Sequence, residues 1–202
     1  MKRLLIVTIV PVLMIGAACA KAPTEKVTAA EKAVNDARAT GAPKYAPEEF
    51  AKLESALTNA KSEVAEQDAK FGFLRDYEKA EQGLTVAQTE ATRVSAETAK
   101  RKEEAKTGAV QAQQAAQVAV TTAQQLVAKA PVGKDRAALE GIKADIDGLA
   151  TSLPDIQKTL DAEDYQAAQV KAKAVQDKSQ AVSAELESAL AKVHSAKTAK
   201  KK

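Results

Sequence analysis

Residues 76–97 read DYEKAEQGLTVAQTEATRVSAE, and residues 164–185, 88 positions later, read DYQAAQVKAKAVQDKSQAVSAE. Eight of the 22 positions are identical without a gap, from Asp-Tyr at the start to Val-Ser-Ala-Glu at the end. The apolar register repeats as well. In the first stretch Tyr77, Leu84 and Ala91 interleave with Ala80, Ala87 and Val94; in the second Tyr165, Ala172, Ser179, Leu186 and Val193 interleave with Ala168, Val175, Val182 and Ala189. Spacings alternating between three and four residues place such side chains on one face of a helix, as in a coiled-coil seam. Strands are excluded by the same pattern, because their period is two. Tyr77 and Tyr165 are read as rings packed over helix junctions with their hydroxyls in water.

Each stretch is preceded by a further helix. Phe50, Leu53, Leu57, Ala60 and Val64 form one stripe, and Leu139, Ile142, Ile146, Leu149, Leu153, Ile156 and Leu160 the other. Pro154 interrupts the second stripe and is expected to kink it or begin a new turn, since an interior proline lacks the N–H and crowds the preceding turn. Shorter helices are expected at 25–40 and 108–129. The break after the first is GAPKYAPEEF, residues 41–50: Gly41 suits the left-handed position, Pro43 stops the helix, and Pro47 with Glu48 and Glu49 opens the next. KAPVGKD, residues 129–135, supplies Pro131, Gly133 and the cap candidate Asp135 after the second.

The expected fold is therefore all-α, two tandem three-helix repeats with coiled-coil-like packing, elongated. Residues 1–18 form a signal peptide, 19–107 helical repeat 1, 108–196 helical repeat 2, and 197–202 a basic tail. Gly72 and Asp76 separate the second and third helices of the first repeat, and residues 161–164 those of the second. Residues 95–107 hold no strong breaker, so one helix is expected to serve both bundles, a rod of roughly 80 Å if continuous over about 55 residues. A single elongated hairpin bundle is the alternative.

Composition agrees. Alanine fills 45 of 202 positions, and there are six aromatic residues and no Trp. Alanine has the highest helix propensity because it loses no side-chain entropy, but its small volume makes thin seams. Thirty basic residues oppose 27 acidic ones. Lys2 and Arg3 lie in the expected signal and four lysines in the tail, so the rest is slightly acidic, which disfavours nucleic-acid binding.

The N-terminus has the order of a bacterial secretion signal: Lys2 and Arg3, an apolar run from Leu4 to Met14, then Gly16, Ala17 and Ala18. As a helix, Leu4 to Ala18 would reach about 22 Å, short of the ~30 Å hydrocarbon core of a bilayer. The only cysteine, Cys19, follows. IGAAC resembles the lipobox of bacterial lipoproteins, which are cut before an acylated cysteine, with Gly16 standing where Leu is usual. Ala18-Cys19-Ala20 is also an A-x-A site, which would give cleavage after Ala20 and a soluble product. The lipobox resemblance implies that Cys19 carries two or three acyl chains, and Ala20 in place of Asp resembles lipoproteins of the outer membrane. Each buried methylene contributes ~0.8 kcal/mol, so several chains hold a protein where one would not. A lone cysteine excludes a disulfide framework.

The motifs ATGAPKYAPEEFAKLESALTNAK and DYEKAEQ together resemble domain-of-unknown-function family 4398, alanine-rich helical domains of bacterial envelope lipoproteins. The resemblance covers about residues 25–105; the second half has APVGKDRAALEGIK where Tyr-Ala-Pro would be expected. It implies an envelope location and a helical fold, and no reaction.

No phosphate loop or nucleophile motif occurs, and His194 is the single histidine, read as a surface residue. No metal, cofactor or enzymatic activity is expected. Tyr45, between two prolines, is weighed as a partner contact against packing of its own loop. Residues 107–128 carry no charge, and their six Gln oppose insertion into lipid; burial in the bundle is favoured over pairing with a second copy. Lys202 ends a lysine-rich tail. Lipid at one end and lysine at the other resembles the major Braun-type lipoprotein, whose terminal lysine is joined to peptidoglycan, so Lys202 is a candidate wall contact. The resulting expectation is a non-catalytic envelope lipoprotein on the periplasmic face of the outer membrane: a spacer, scaffold or interaction module whose partners are the membrane, through acyl chains, and peptidoglycan or an envelope protein. A soluble periplasmic binding or chaperone-like protein is the alternative.

Overall fold

The computed structural model describes residues 21–130 and 136–199, with side chains through residue 192 apart from that of residue 136. Among them every regular element is helical: α1 (Thr24–Ala39), α2 (Ala42–Tyr45), α3 (Pro47–Asp68), a 3-10 turn (Gly72–Leu74), α4 (Glu78–Lys129), α5 (Arg136–Asp161) and α6 (Tyr165–Ala199). The all-α class follows from the alanine content and the helical apolar period. The chain divides into two compact units between Thr98 and Ala99, and α4 contributes to both.

In the first unit α1 and α3 run antiparallel, as the cross-helix pairs Glu31–Lys61 and Arg38–Glu54 require. The joint between them is fixed locally. Gly41 has φ +96°, which a side chain would strain, and a Cβ there would also come 3.3 Å from the Tyr45 ring. Pro43 does not end a helix as the sequence suggests. It lies in the first turn of α2, where a missing N–H costs nothing, while the α1 terminus is closed by Gly41 N–H donating to the Arg38 carbonyl. Pro47 opens α3 with Glu48 and Glu49 in its first turn, complementing the helix dipole.

The N-terminal part of α4 lies along both helices. Val34, Ala37, Phe50, Leu53, Ala91 and Val94 belong to one buried cluster, and Ala30, Ala60 and Leu84 to the next. The whole stripe Tyr77, Ala80, Leu84, Ala87, Ala91, Val94 is buried and extends to Thr98. Small residues permit close approach: a Cβ on Gly83 would stand 3.1 Å from Ala60 Cβ.

The second unit is built from the remainder of α4 with α5 and α6. Ala123, Ile146 and Leu186 form its buried cluster, flanked by Leu126, Val127, Leu139, Ile142 and Val182. Gln113 Nε2 donates to Gln157 Oε1 at 2.7 Å between α4 and α5, and Lys171 pairs with Asp155 at 2.7 Å between α6 and α5. Taken with the contacts of Ile146 with Ala123 and Leu186, these pairs set both neighbours antiparallel to α5. On α6, Tyr165, Ala168, Ala172, Val175, Ser179 and Leu186 are buried, whereas Val182 is half-buried and Ala189 exposed, so the seam thins toward the C-terminal end. The hydroxyls of Thr98 and Ser179 are fully buried with no hydrogen-bond partner, although both occupy stripe positions.

As expected, one helix runs through residues 95–107: α4 is unbroken from Glu78 to Lys129 and passes through Gly108, since one glycine costs only about 1 kcal/mol in a helix interior. Two local expectations are modified. Pro154 lies inside α5, which continues through it, and the Thr151 and Ser152 hydroxyls donate back to the Gly148 carbonyl in the turn before. The uncharged stretch 107–128 is buried along one side only. Ala109, Ala116, Ala119, Val120 and Ala123 face inward, while Gln117, Val118, Thr121 and Thr122 face solvent. Absence of charge marked that helix without saying which residues were covered, because alanine and glutamine suit either side.

Candidate functional site

The joint between α3 and α4 is held by a dense set of side-chain hydrogen bonds. Its hub is Gln67, a buried amide in the last turn of α3. Gln67 Oε1 accepts from Asp76 N at 3.1 Å and from Lys70 Nζ at 2.9 Å, and its Nε2 donates to Glu63 Oε1 at 3.1 Å. Arg75 closes the end of α3 from the other side. Its Nε donates to the Lys70 carbonyl at 3.0 Å and its Nη2 to the Asp68 carbonyl at 2.9 Å, taking up acceptors that a helix end leaves open. Asp76 Oδ1 accepts from Glu78 N at 3.0 Å and so caps α4, and the Tyr77 hydroxyl donates to Asp68 Oδ1.

Charge follows geometry here. The hydrogen bond to Asp68 raises the Tyr77 phenol above its ordinary value, with burial adding to it. Glu63 is held below the usual carboxylate range, first by its hydrogen bond from Lys79 and then by that from Gln67; Lys79 is raised in return.

Projecting from this clamp are the side chains of the 3-10 turn. Phe71 is 76%, Phe73 77% and Leu74 57% exposed, and the two rings stack with centroids 6.1 Å apart. Leu74 N donates to the Phe71 carbonyl at 2.8 Å, fixing the turn. Sequence reasoning used Gly72 and Asp76 here as helix breakers and passed over the phenylalanines. The available signal was two Phe and a Leu outside every apolar stripe, between Lys70 and Arg75.

A second feature lies in the second unit, where α4 and α6 enclose an open groove of about 580 Å³. Gln111, Val118 and Thr122 line one wall, and Gln176, Gln180 and Ala184 the other. Glu187 is its only charged lining residue.

Tyr45, weighed from the sequence as a partner contact, is 6% exposed and packs into the α1–α3 joint beneath Gly41, which leaves little ring surface for a partner. Cys19 and Lys202 lie outside the described residues. His194 falls within α6. Among the described residues no cluster of His, Cys, Asp or Glu is arranged to hold a metal ion, and no helix is long and apolar enough to cross a membrane. No protein family, curated protein or solved structure matches the chain.

Proposed function

We propose that this chain is a non-catalytic envelope lipoprotein, held on the periplasmic face of the outer membrane by acyl chains on Cys19 and acting as a helical spacer, scaffold or interaction module. The observation that carries the reading is the order of the first 20 residues: basic Lys2 and Arg3, an apolar run, small residues, then the sole cysteine. Helices with buried seams and exposed charged faces suit an extracytoplasmic domain that must stay folded beside a membrane without entering it.

Incorporation of a labelled fatty acid into the full-length protein, and its loss in Cys19→Ser, is the expected result. Equal labelling of both, or of neither, refutes the reading. Lys202 as a covalent link to peptidoglycan belongs to the same proposal and requires a protein-linked muropeptide in digested, detergent-washed sacculi.

The groove between α4 and α6 favours a second reading, a soluble periplasmic binding or chaperone-like protein. Its walls of Ala, Val, Thr and Gln offer shallow apolar surface with amide hydrogen bonds, suited to an extended or helical apolar segment. That reading requires a mature protein beginning at Lys21.

A further inference from the structure

The exposed Phe71–Phe73–Leu74 turn lies at the end of the first unit from which the chain leaves toward Cys19. α1 runs parallel to α4. Lys26 pairs with Glu81, the Lys26 carbonyl accepts from Gln88 Nε2 at 3.3 Å, and Val27 packs on the cluster containing Leu84. Residue 24 is thus level with the first turn of α4, only a few residues beyond the phenylalanines. From Thr24 back to Cys19 is five residues, a reach of at most about 18 Å. From Glu81 back to Tyr77 is one helical turn, about 6 Å. An acylated Cys19 and the aromatic turn can therefore reach one surface together.

We infer that the Phe71–Gly72–Phe73–Leu74 turn is a second membrane contact, inserting its two rings and the leucine into the leaflet that holds the Cys19 acyl chains. The inference rests on the lipoprotein reading and deepens it: acyl chains alone leave a protein free to swivel, whereas a second contact sets the orientation of the first unit. Its chemistry fits a bilayer interface. Three exposed apolar side chains adjoin in a turn whose backbone is already fixed, so little ordering is required on insertion. Lys70 and Arg75 bracket them. Lys70 donates to the neutral amide of Gln67 and also acts on the Glu63 carboxylate, and Arg75 donates to two backbone carbonyls and also acts on the Tyr77 phenol; both cations flank the apolar side chains at the depth of lipid phosphates. Apart from the turn itself, the core clusters of the unit recruit none of the three side chains.

The chain has no Trp, so Phe73→Trp supplies a single indole reporter. The full-length variant, exported and purified from membranes, is reconstituted into vesicles of phosphatidylethanolamine and phosphatidylglycerol, with and without brominated acyl chains. Expected are a blue-shifted indole emission and strong quenching by the brominated lipid, in protein whose mass shows acyl chains on Cys19. Acylated protein that floats with the vesicles while its indole remains water-exposed and unquenched overturns the second contact and leaves the anchor standing. Absence of acyl mass on Cys19 overturns both. A blue shift that needs no vesicles and grows with protein concentration assigns the turn to self-association and overturns the membrane contact.

Discussion

The phenol of Tyr77 donates to the carboxylate of Asp68, tying the residue before α4 to the last residue of α3. This bond holds the root of the aromatic turn. Because the acceptor is an ionised carboxylate, the bond favours the protonated phenol and lifts its folded pKa above 10.0. The contribution to stability is therefore complete below the ordinary tyrosine value and is lost as pH rises through the elevated one. Tyr77→Phe is expected to lower Tm at neutral pH and to flatten the alkaline fall in Tm; thermal melts of both proteins across that range check this.

At acid pH the sign reverses. Glu63, Asp155 and Glu163 are lowered by hydrogen bonds from Lys79, Lys171 and Lys102 respectively. A carboxylate whose folded pKa is depressed stabilises the fold above its ordinary value and ceases to do so as pH falls through the depressed one. Tm should drop as pH falls below the ordinary carboxylate values of 4.5 for Glu and 3.8 for Asp. Lys79→Met should lessen that drop in a melt series, since Glu63 would then titrate closer to its ordinary value.

Gly83 and Gly141 occupy helix interiors with opposite surroundings. A Cβ at Gly83 meets the Ala60 methyl at 3.1 Å, and that methyl cannot move without its backbone; at Gly141 nothing lies within 4 Å. Removing glycine's extra backbone freedom is worth about 0.5–1 kcal/mol in a helix. Urea unfolding should show that gain for Gly141→Ala and none, or a loss, for Gly83→Ala.

Leu84 is fully buried and packs in the cluster of Ala30 and Ala60. Ala30 and Ala60 have no rotamers with which to refill a void, and Val27, Leu57 and Val64 pack only at the margin of the cluster. Leu84→Ala is expected to cost about 3–5 kcal/mol, the upper part of the range for such truncations. Val86, two residues on and 56% exposed, should tolerate alanine within about 0.5 kcal/mol in the same denaturant series.

The seam of α4 was legible in the sequence because Tyr77, Leu84 and Val94 are large enough to stand out at helical spacing. The α1–α3 joint was legible in part, because glycine takes a left-handed φ without strain and proline suits the first turn of a helix, although Pro43 was read as stopping a helix and opens α2 instead. Between residues 107 and 128 the signal weakened, since Ala112 and Ala116 look alike in sequence but only Ala116 is buried. Ser179 sat correctly in its stripe, yet nothing in the sequence disclosed that its hydroxyl would lack a partner. The aromatic turn was missed for a different reason. Periodicity assigns a face only within a helix, and Phe71 to Leu74 lie in a joint where exposure depends on the hydrogen bonds of Gln67, Arg75 and Tyr77, which join residues from two helices and the turn between them.

Attachment of the chain at a membrane through Cys19 is the claim on which the proposed role depends. The intact mass of the mature protein, isolated from cells that export the full-length chain, measures it directly. The account requires a polypeptide beginning at Cys19 with the added mass of two or three acyl chains; an unmodified polypeptide beginning at Lys21 would contradict it.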